Sequence, residues 1–253
     1  MSARTIGFVA KKGGVGKTTS ALAVGSALMR DGHSVLFIDL DSQFNLTSTM
    51  KATTSGPNIF GVLLRQVSAK DAIQHTEMGD IIAATEDLNG SDAVINQTGK
   101  EYRLKETLAC VEDLYDFIIV DTPPALEVLT ICALTACDEI VVMTQADLYS
   151  YDSIKQLWKA ILATRQYTNK DLKVSGFLVN RYNKRANISK TLKGDLESMA
   201  KKLDTKVFRT EVRECTALKE AQFRHQSIFD YAPASNAAAD YSAVLEELKE
   251  DWT

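Results

Sequence analysis

The hydrophobic pattern alternates between short apolar or β-branched runs and longer segments with helical spacing. Residues 117–120 and 140–143 are apolar throughout, as is typical of central strands covered on both faces. Polar, turn-forming residues dominate 42–58 and 225–237, which we expect to be surface loops. The pattern predicts strands at 5–10, 34–39, 79–84, 116–121, 139–144, 172–179 and 206–210. It predicts helices at 17–31, 57–66, 101–113, 125–136, 151–166, 188–203, 215–222 and 237–250.

This alternation predicts an α/β fold in which a doubly wound, mostly parallel sheet is flanked by helices. No linker or repeat interrupts the pattern, so we expect residues 1–253 to form a single domain. No apolar run is long enough to span a membrane and the first residues lack a signal-peptide core, so we expect a cytoplasmic protein. The four cysteines and three histidines lack metal-ligand spacing, which indicates free thiols.

A glycine-rich segment joins the first predicted strand to the first predicted helix. Its glycines allow backbone N–H groups to close around phosphate oxygens, and the helix N-terminus adds the positive end of its dipole. Lys17 is then placed to reach the β- and γ-phosphates, and the Thr18 hydroxyl to ligate Mg²⁺. The usual pattern has a glycine where this chain has Lys11. The predicted phosphate loop comprises Lys12, Gly13, Gly14, Val15, Gly16, Lys17, Thr18 and Thr19.

Three aspartates follow predicted strands. Asp39 and Asp41 come at the end of the second strand, and Asp121 follows the apolar run 117–120. Carboxylates at strand ends are costly unless they face an open site, and strand C-termini form the ligand crevice of a parallel sheet. One of Asp39 and Asp41 could hold the Mg²⁺ shell while the other orients the attacking water, and Asp121 is predicted to hold Mg²⁺ through water.

Together these segments resemble the deviant Walker A ATPases of the ParA/MinD family. The shared features are the lysine before Gly-Gly, Lys-Thr-Thr, Asp-x-Asp and Asp-Thr-Pro-Pro, and the resemblance covers nearly the whole chain. It implies ATP and Mg²⁺ as cofactors, with Asp41 positioning water and Thr18, Asp39 and Asp121 around the metal. It also implies a homodimer that sandwiches two ATP molecules, in which Lys12 of each subunit reaches the other's phosphates. The dimer would bind DNA without sequence preference, and a ParB-like or cargo-adaptor partner would trigger hydrolysis.

The resemblance also implies a base pocket. Asn180-Arg181-Tyr182 is similar to an Asn-Arg-Tyr segment that contacts adenine in several members, and an amide suits the adenine edge. Val212 and Arg213 stand where the family often has Ile-Pro-Arg, without the proline. The guanine-reading Asn-Lys-x-Asp is absent from 183–186, which lacks the aspartate. The lack of cysteine ligands argues against the iron–sulfur relatives of the same superfamily.

Charge is unevenly distributed. The chain has a net charge of −4, but residues 165–224 contain 15 Lys/Arg and 7 Asp/Glu and therefore carry +8. Such a segment is either a set of solvated helix faces or a local binding face. Partition proteins often carry arginines after the late proline turn, whereas 233–237 has none. The nearby candidates for DNA contacts are Lys184, Arg185, Lys190, Lys193, Arg213, Lys219 and Arg224.

Two other functions remain open. A MinD-like ATPase would end in a basic amphipathic helix on anionic lipid, but residues 245–253 are net acidic, so we expect no membrane partner. A metabolic enzyme of the dethiobiotin synthetase kind would need an acceptor pocket, and no further catalytic pair is evident. The phosphate loop begins about ten residues in, so we expect no preceding helix-turn-helix and no operator-specific repression. The cargo of a partition protein, whether plasmid, chromosome, conjugative element or protein compartment, is left open.

Overall fold

The computed structural model describes residues 2–145, 150–182 and 187–252, with the backbone alone at 150–151, 187–190 and 192. The strands are β1 (Arg4–Val9), β2 (Val35–Asp39), β3 (Ile73–Thr76), β4 (Gly79–Ile82), β5 (Phe117–Asp121), β6 (Glu139–Gln145), β7 (Lys173–Tyr182) and β8 (Val212–Arg213). The helices are α1 (Lys17–Arg30), α2 (Asn45–Thr49), α3 (Ile59–Leu63), α4 (Ala69–Ala72), α5 (Ser91–Val94), α6 (Arg103–Leu108), α7 (Val128–Ala136), α8 (Ser150–Tyr167), α9 (Asn187–Lys202), α10 (Thr216–Phe223), α11 (Ile228–Tyr231) and α12 (Asn236–Lys249).

The strands form one sheet in the order β3-β4-β2-β5-β1-β6-β7-β8. All neighbours pair in parallel except β3, which pairs antiparallel with β4. The predicted doubly wound, mostly parallel sheet is therefore confirmed. Because β1 lies between β5 and β6, the loop after β1 sits at the middle of the carboxyl edge, where such sheets bind ligands.

Two apolar cores cover the faces of the sheet. Alternate residues of a strand point to opposite faces, so Phe37 packs in one core and Ile38 in the other. The first core contains α1 and α12, and the second contains α6, α7, α8 and α9. The three-layer arrangement holds the start of α1 firmly, since the buried Tyr241 hydroxyl lies 2.9 Å from the Ser20 hydroxyl.

Three predictions from the hydrophobic pattern were wrong in detail. The expected loop 42–58 contains α2, with Leu46 and Thr47 buried, and the expected loop 225–237 contains α11. The strand expected at 206–210 forms only an isolated bridge between Val207 and Phe177. The reason is that the N–H groups of Arg209 and Thr210 donate to the Glu247 carboxylate of α12, which takes the place of a strand partner.

The hairpin strand β3 was not predicted, because only its first residue, Ile73, is apolar and none of its residues is fully buried. All four cysteines are free thiols, as expected. Within the described ranges, no helix combines the length and the apolar character needed to cross a membrane.

Candidate nucleotide site

The loop between β1 and α1 has the geometry of an anion cradle. Gly14 and Gly16 adopt positive φ angles of 73° and 92°, a conformation that glycine reaches without strain. A Cβ atom added at Gly13 or Gly14 would meet no heavy atom within 4 Å, so the space above the loop is open. No side chain caps α1 at Gly16, which leaves its first N–H groups available to a ligand.

Lys17, the first residue of α1, is buried with only 6% exposure. Burial lowers the pKa of its ammonium group, while the nearby carboxylates of Asp121 and Asp41 raise it. Asp121 ends β5 and Asp41 follows β2, and the fold brings both carboxylates near Lys17. One cation and two carboxylates therefore lie together at the start of α1, and their roles toward phosphates and metal stay predictions.

Asp121 ends β5 with its side chain fully buried. Neither of its carboxylate oxygens accepts a hydrogen bond of normal geometry from a described residue. Burial, followed by the neighbouring charge of Asp39, raises its pKa well above the usual range, and the Thr18 hydroxyl and Lys17 lower it from nearby. A buried carboxylate without a partner is costly in an otherwise well-bonded fold. Its oxygens are the hard donors that Mg²⁺ prefers, so Asp121 and Thr18 fit a magnesium site.

Asp39 pairs with Asp121 in the register of β2 and β5, but its surroundings differ. Its Oδ2 accepts hydrogen bonds from the Thr47 N–H (2.9 Å) and hydroxyl (2.8 Å), and its Oδ1 accepts one from the Asp41 N–H (3.1 Å). Burial raises its pKa to about 6, against the lowering effect of these donors. Asp39 therefore fixes α2 and Asp41 in place. That it also ligates Mg²⁺ stays a prediction.

Asp41 lies just beyond β2 with 8% exposure. Its Oδ1 accepts a hydrogen bond from the Gln43 N–H at 3.0 Å, which closes a local Asx turn. The preceding residue is tied to the sheet because the Leu40 N–H donates to the Asp121 carbonyl at 2.9 Å. The Asp41 carboxylate is thus held at the carboxyl edge, close enough to Lys17 to raise its pKa.

A small cavity opens beside the phosphate loop where the base pocket was predicted. Its lining includes Gly16, Thr19, Asn180, Arg181 and Arg213. The Asn180 amide does not point freely into this space, since its Nδ2 donates to the Val15 carbonyl and its Oδ1 accepts from the Arg181 N–H. The Arg213 guanidinium is bound by the Asp240 carboxylate. Val212 is buried in β8.

Side chains that sequence reasoning missed connect this site to its surroundings. The Gln222 Nε2 of α10 donates to the Thr19 hydroxyl at 2.9 Å, and the His225 Nδ1 lies 3.1 Å from the Ser48 carbonyl of α2. Gln145 of β6 contacts the Gly14 carbonyl. None belongs to a motif; only the position of Gln145 at a predicted strand end could have suggested a role.

The predicted DNA-contacting residues fall into three groups. Lys184 and Arg185 lie outside the described residues, as does the side chain of Lys190. Lys193 pairs with Glu211, and Arg213 with Asp240. Lys219 of α10 and Arg224, which follows it, are exposed.

Acidic residues near the C-terminus neutralise part of the basic segment. Lys206 pairs with Asp251, and Arg209 pairs with Glu247 and Glu250. The net charge of 165–224 therefore overstates the positive charge of the surface that it forms.

Lys12 and Val15 line a small cavity that Ile154 and Leu157 of α8 also line. The position of Lys12 differs from that of Lys17, which is buried next to the aspartates. Among the described residues, Lys12 therefore lies near α8, and Lys17 lies near Asp41 and Asp121.

Comparison with known proteins identifies the class to which this site belongs. A family model described as an AAA domain matches residues 3–174, more than half of the chain. The sporulation initiation inhibitor protein Soj of Bacillus subtilis is 32% identical over 250 residues, which cover 97% of this chain and 98% of that protein. The chromosome partitioning protein ParA of Myxococcus xanthus is 32% identical over 243 residues, covering 94% and 85%.

A solved structure is similar along the whole chain. Cobyrinic acid a,c-diamide synthase from Mycobacterium smegmatis, with a bound ATP analogue and magnesium, superposes with a TM-score of 0.88 at 29% identity, covering 99% of this chain and 96% of that one. The chain belongs to the ParA/Soj family of P-loop ATPases. The resemblance inferred from the motifs is therefore confirmed.

Proposed function

We propose that this protein is a ParA-type partition ATPase that binds ATP with Mg²⁺, dimerises, binds DNA without sequence preference and hydrolyses ATP when a cargo-bound partner stimulates it. The observation that carries the proposal is the buried group under the phosphate loop. Lys17 lies near Asp121 and Asp41, and neither carboxylate oxygen of Asp121 accepts a hydrogen bond of normal geometry from a described residue. The Mg²⁺ of a bound MgATP would compensate the negative charge of the buried Asp121 carboxylate, and Lys17 would bind the phosphates.

The residues divide the chemistry between them. The loop N–H groups and Lys17 hold the β- and γ-phosphates, so that charge developing during phosphoryl transfer meets fixed donors. The Thr18 hydroxyl and Asp121 would hold Mg²⁺, which neutralises phosphate charge when bound. Asp41 accepts a hydrogen bond from the attacking water and aligns it with the γ-phosphate. Asp39 keeps Asp41 in place through the Asp41 N–H and supports α2 through Thr47.

Dimerisation rests on the family resemblance and on the position of Lys12. Lys12 lines a small cavity against α8, whereas Lys17 is buried near the Asp121 and Asp41 carboxylates. The family resemblance implies that Lys12 contacts the phosphates bound by the second subunit. The similarity to a chromosome partitioning protein supports a role in segregating DNA, and the ParB-type partner follows from the family resemblance.

The proposed DNA surface includes α10. Lys219 and Arg224 are exposed, and neither forms an ion pair with a described residue. Gln222 of the same helix donates a hydrogen bond to Thr19 of the phosphate loop. Through this contact, nucleotide binding would affect the position of the DNA surface. Electrostatic contacts to phosphates would explain binding without base preference.

Membrane binding is the first alternative, and one observation disfavours it. The apolar side of α12 is buried against α1, including Tyr241, Val244 and Leu248, so it is not available to lie on lipid. The second alternative is a metabolic P-loop enzyme, since one similar structure is called a cobyrinic acid a,c-diamide synthase.

One binding experiment separates these functions. The protein is passed over surfaces carrying random-sequence DNA or anionic vesicles, in MgATP or in MgADP. We expect retention on DNA in ATP only, with no preference between unrelated sequences, and no retention on vesicles. Retention on vesicles would support the membrane function. MgATP binding without retention on either surface would contradict the partition function and favour a metabolic enzyme.

A further inference from the structure

Two amide side chains bind the outer side of the phosphate loop. Gln145 ends β6, and Asn180 is its register partner on β7. The Gln145 Nε2 donates to the Gly14 carbonyl at 3.2 Å, and the Asn180 Nδ2 donates to the Val15 carbonyl at 3.0 Å. Adjacent strands thus hold two consecutive carbonyl groups of the loop.

These bonds determine which way the loop's donors face. In a planar trans peptide the C=O of one residue and the N–H of the next point in opposite directions. When the Gly14 carbonyl is held toward β6, the Val15 N–H faces away from it. When the Val15 carbonyl is held toward β7, the Gly16 N–H faces away from β7. A loop arranged in this way before the ligand arrives loses less freedom on binding phosphate.

Asn180 is itself locked. Its side chain is 4% exposed, and its Oδ1 accepts a hydrogen bond from the Arg181 N–H at 2.7 Å. It also fills the space beside Gly16, because a Cβ there would lie 1.9 Å from the Asn180 Nδ2. With Gly16 at a φ of 92°, any larger residue would both strain the backbone and displace the amide.

We propose that Gln145 and Asn180 form an amide clamp, a pair of positioning residues that preset the phosphate loop by binding the carbonyls of Gly14 and Val15. The clamp acts on phosphate affinity, whatever base the nucleotide carries. This inference rests on the proposed function in one respect, that the ligand contains a polyphosphate. It gives Asn180 a task distinct from the adenine contact that the family resemblance implies.

The test compares a nucleotide with a ligand that has no base. Binding of MgATP and of inorganic tripolyphosphate with Mg²⁺ is measured by calorimetry for the wild type and for Asn180→Ala. We expect the affinity for both ligands to fall by the same factor, roughly 5- to 50-fold, because a buried carbonyl loses its donor. Gln145→Ala should lower both affinities by roughly 2- to 10-fold, since its bond is longer and more exposed.

Any result other than an equal loss of affinity for both ligands contradicts the proposal that the amide clamp presets the phosphate loop. A loss for ATP alone would make Asn180 a base contact, and unchanged affinity for both ligands would give it no role in binding. If Asn180→Ala fails to fold, Gln145→Ala decides by the same comparison. A wild-type protein that binds neither ligand would instead contradict the proposed function.

A matched variant controls for general loosening of the fold. The Asn169 Nδ2 also donates to backbone carbonyls, those of Leu134 and Cys137, at positions outside the nucleotide site. Asn169→Ala should lower thermal stability and leave the affinity for tripolyphosphate unchanged. An equal loss of affinity in Asn169→Ala would show that the effect is not specific to the clamp and would overturn the inference.

Discussion

Replacing Asp121 with asparagine should stabilise the nucleotide-free protein while abolishing its response to MgATP. The Asp121 carboxylate is fully buried and accepts no hydrogen bond of normal geometry from a described residue, and burial and Asp39 raise its pKa by more than the Thr18 hydroxyl and Lys17 lower it. A raised pKa means that the ionised carboxylate opposes folding at neutral pH. Asp121→Asn removes that charge and keeps the shape of the side chain.

The magnitude follows from two opposing effects. Relief of a buried, unpartnered charged group is worth about 1–3 kcal/mol, and the variant loses part of the attraction that Asp121 exerts on Lys17. We therefore expect a net gain of about 1–2 kcal/mol in the free energy of unfolding, which for a chain of this length raises Tm by about 2–8 °C. The wild type at 100 times its Kd for MgATP gains about 2.7 kcal/mol, and the variant should gain almost none.

The assay is thermal unfolding of both proteins without ligand and with MgATP. Asp240→Asn is the control, because Asp240 is also buried but accepts hydrogen bonds from the Arg213 N–H and guanidinium. That variant should be destabilised by about 1–3 kcal/mol, a discounted value since Arg213 is 37% exposed. If Asp121→Asn lowers Tm as Asp240→Asn does, or still responds to MgATP, the reasoning about Asp121 is refuted.

Three further predictions concern the lysines and the DNA surface. Lys17→Ala should lose ATP affinity in calorimetry, because it removes the buried cation aimed at the phosphates; unchanged affinity and turnover would contradict the phosphate loop. Lys12→Ala should keep ATP affinity but stay monomeric in light scattering with a slowly hydrolysed analogue, and a dimer as tight as that of the wild type would contradict its role across the interface. Reversing the charges of Lys219 and Arg224 should weaken DNA binding on all sequences and bring the slope of log K against log salt from roughly −3.6 to roughly −1.8. Lys105→Glu, an exposed reversal on α6, should leave that slope unchanged.

The positions of the main site residues could be predicted because local pattern and topology agree. Lys17 and Thr18 follow a strand in a glycine-rich context, and Asp39 and Asp121 end apolar strands. In a parallel sheet all these strand ends meet at one edge, so the sequence order alone indicates that they share a site.

What could not be predicted depends on contacts between distant parts of the chain. The separate task of Asp39 comes from Thr47, a residue in a segment rich in serine and threonine with no motif of its own. The amide clamp requires the register of β6 against β7, which aligns Gln145 with Asn180. Hydrogen bonds of this kind leave no periodic signal in the sequence.

The surface charge could not be predicted for the same reason. The basic segment pairs with acidic residues of α12 and the chain beyond it, as in Arg209 with Glu247 and Lys206 with Asp251. Counting charges along the chain misses this neutralisation, which depends on how the last helix packs beside 206–213. Only the three-dimensional arrangement separates Lys219 and Arg224 from the paired residues.

Single-turnover hydrolysis by Asp41→Ala shows whether this site hydrolyses ATP with Asp41 orienting the attacking water. With protein in excess over ATP, we expect an ATP affinity close to that of the wild type and a hydrolysis rate lower by a factor on the order of 10² or more. Asp41→Asn, which keeps an acceptor for the Gln43 N–H, should lose hydrolysis as well, because the carboxylate charge and not the turn is what the reaction needs. A variant that loses ATP affinity while hydrolysing each bound ATP at the wild-type rate would make Asp41 a binding residue that does not position the water.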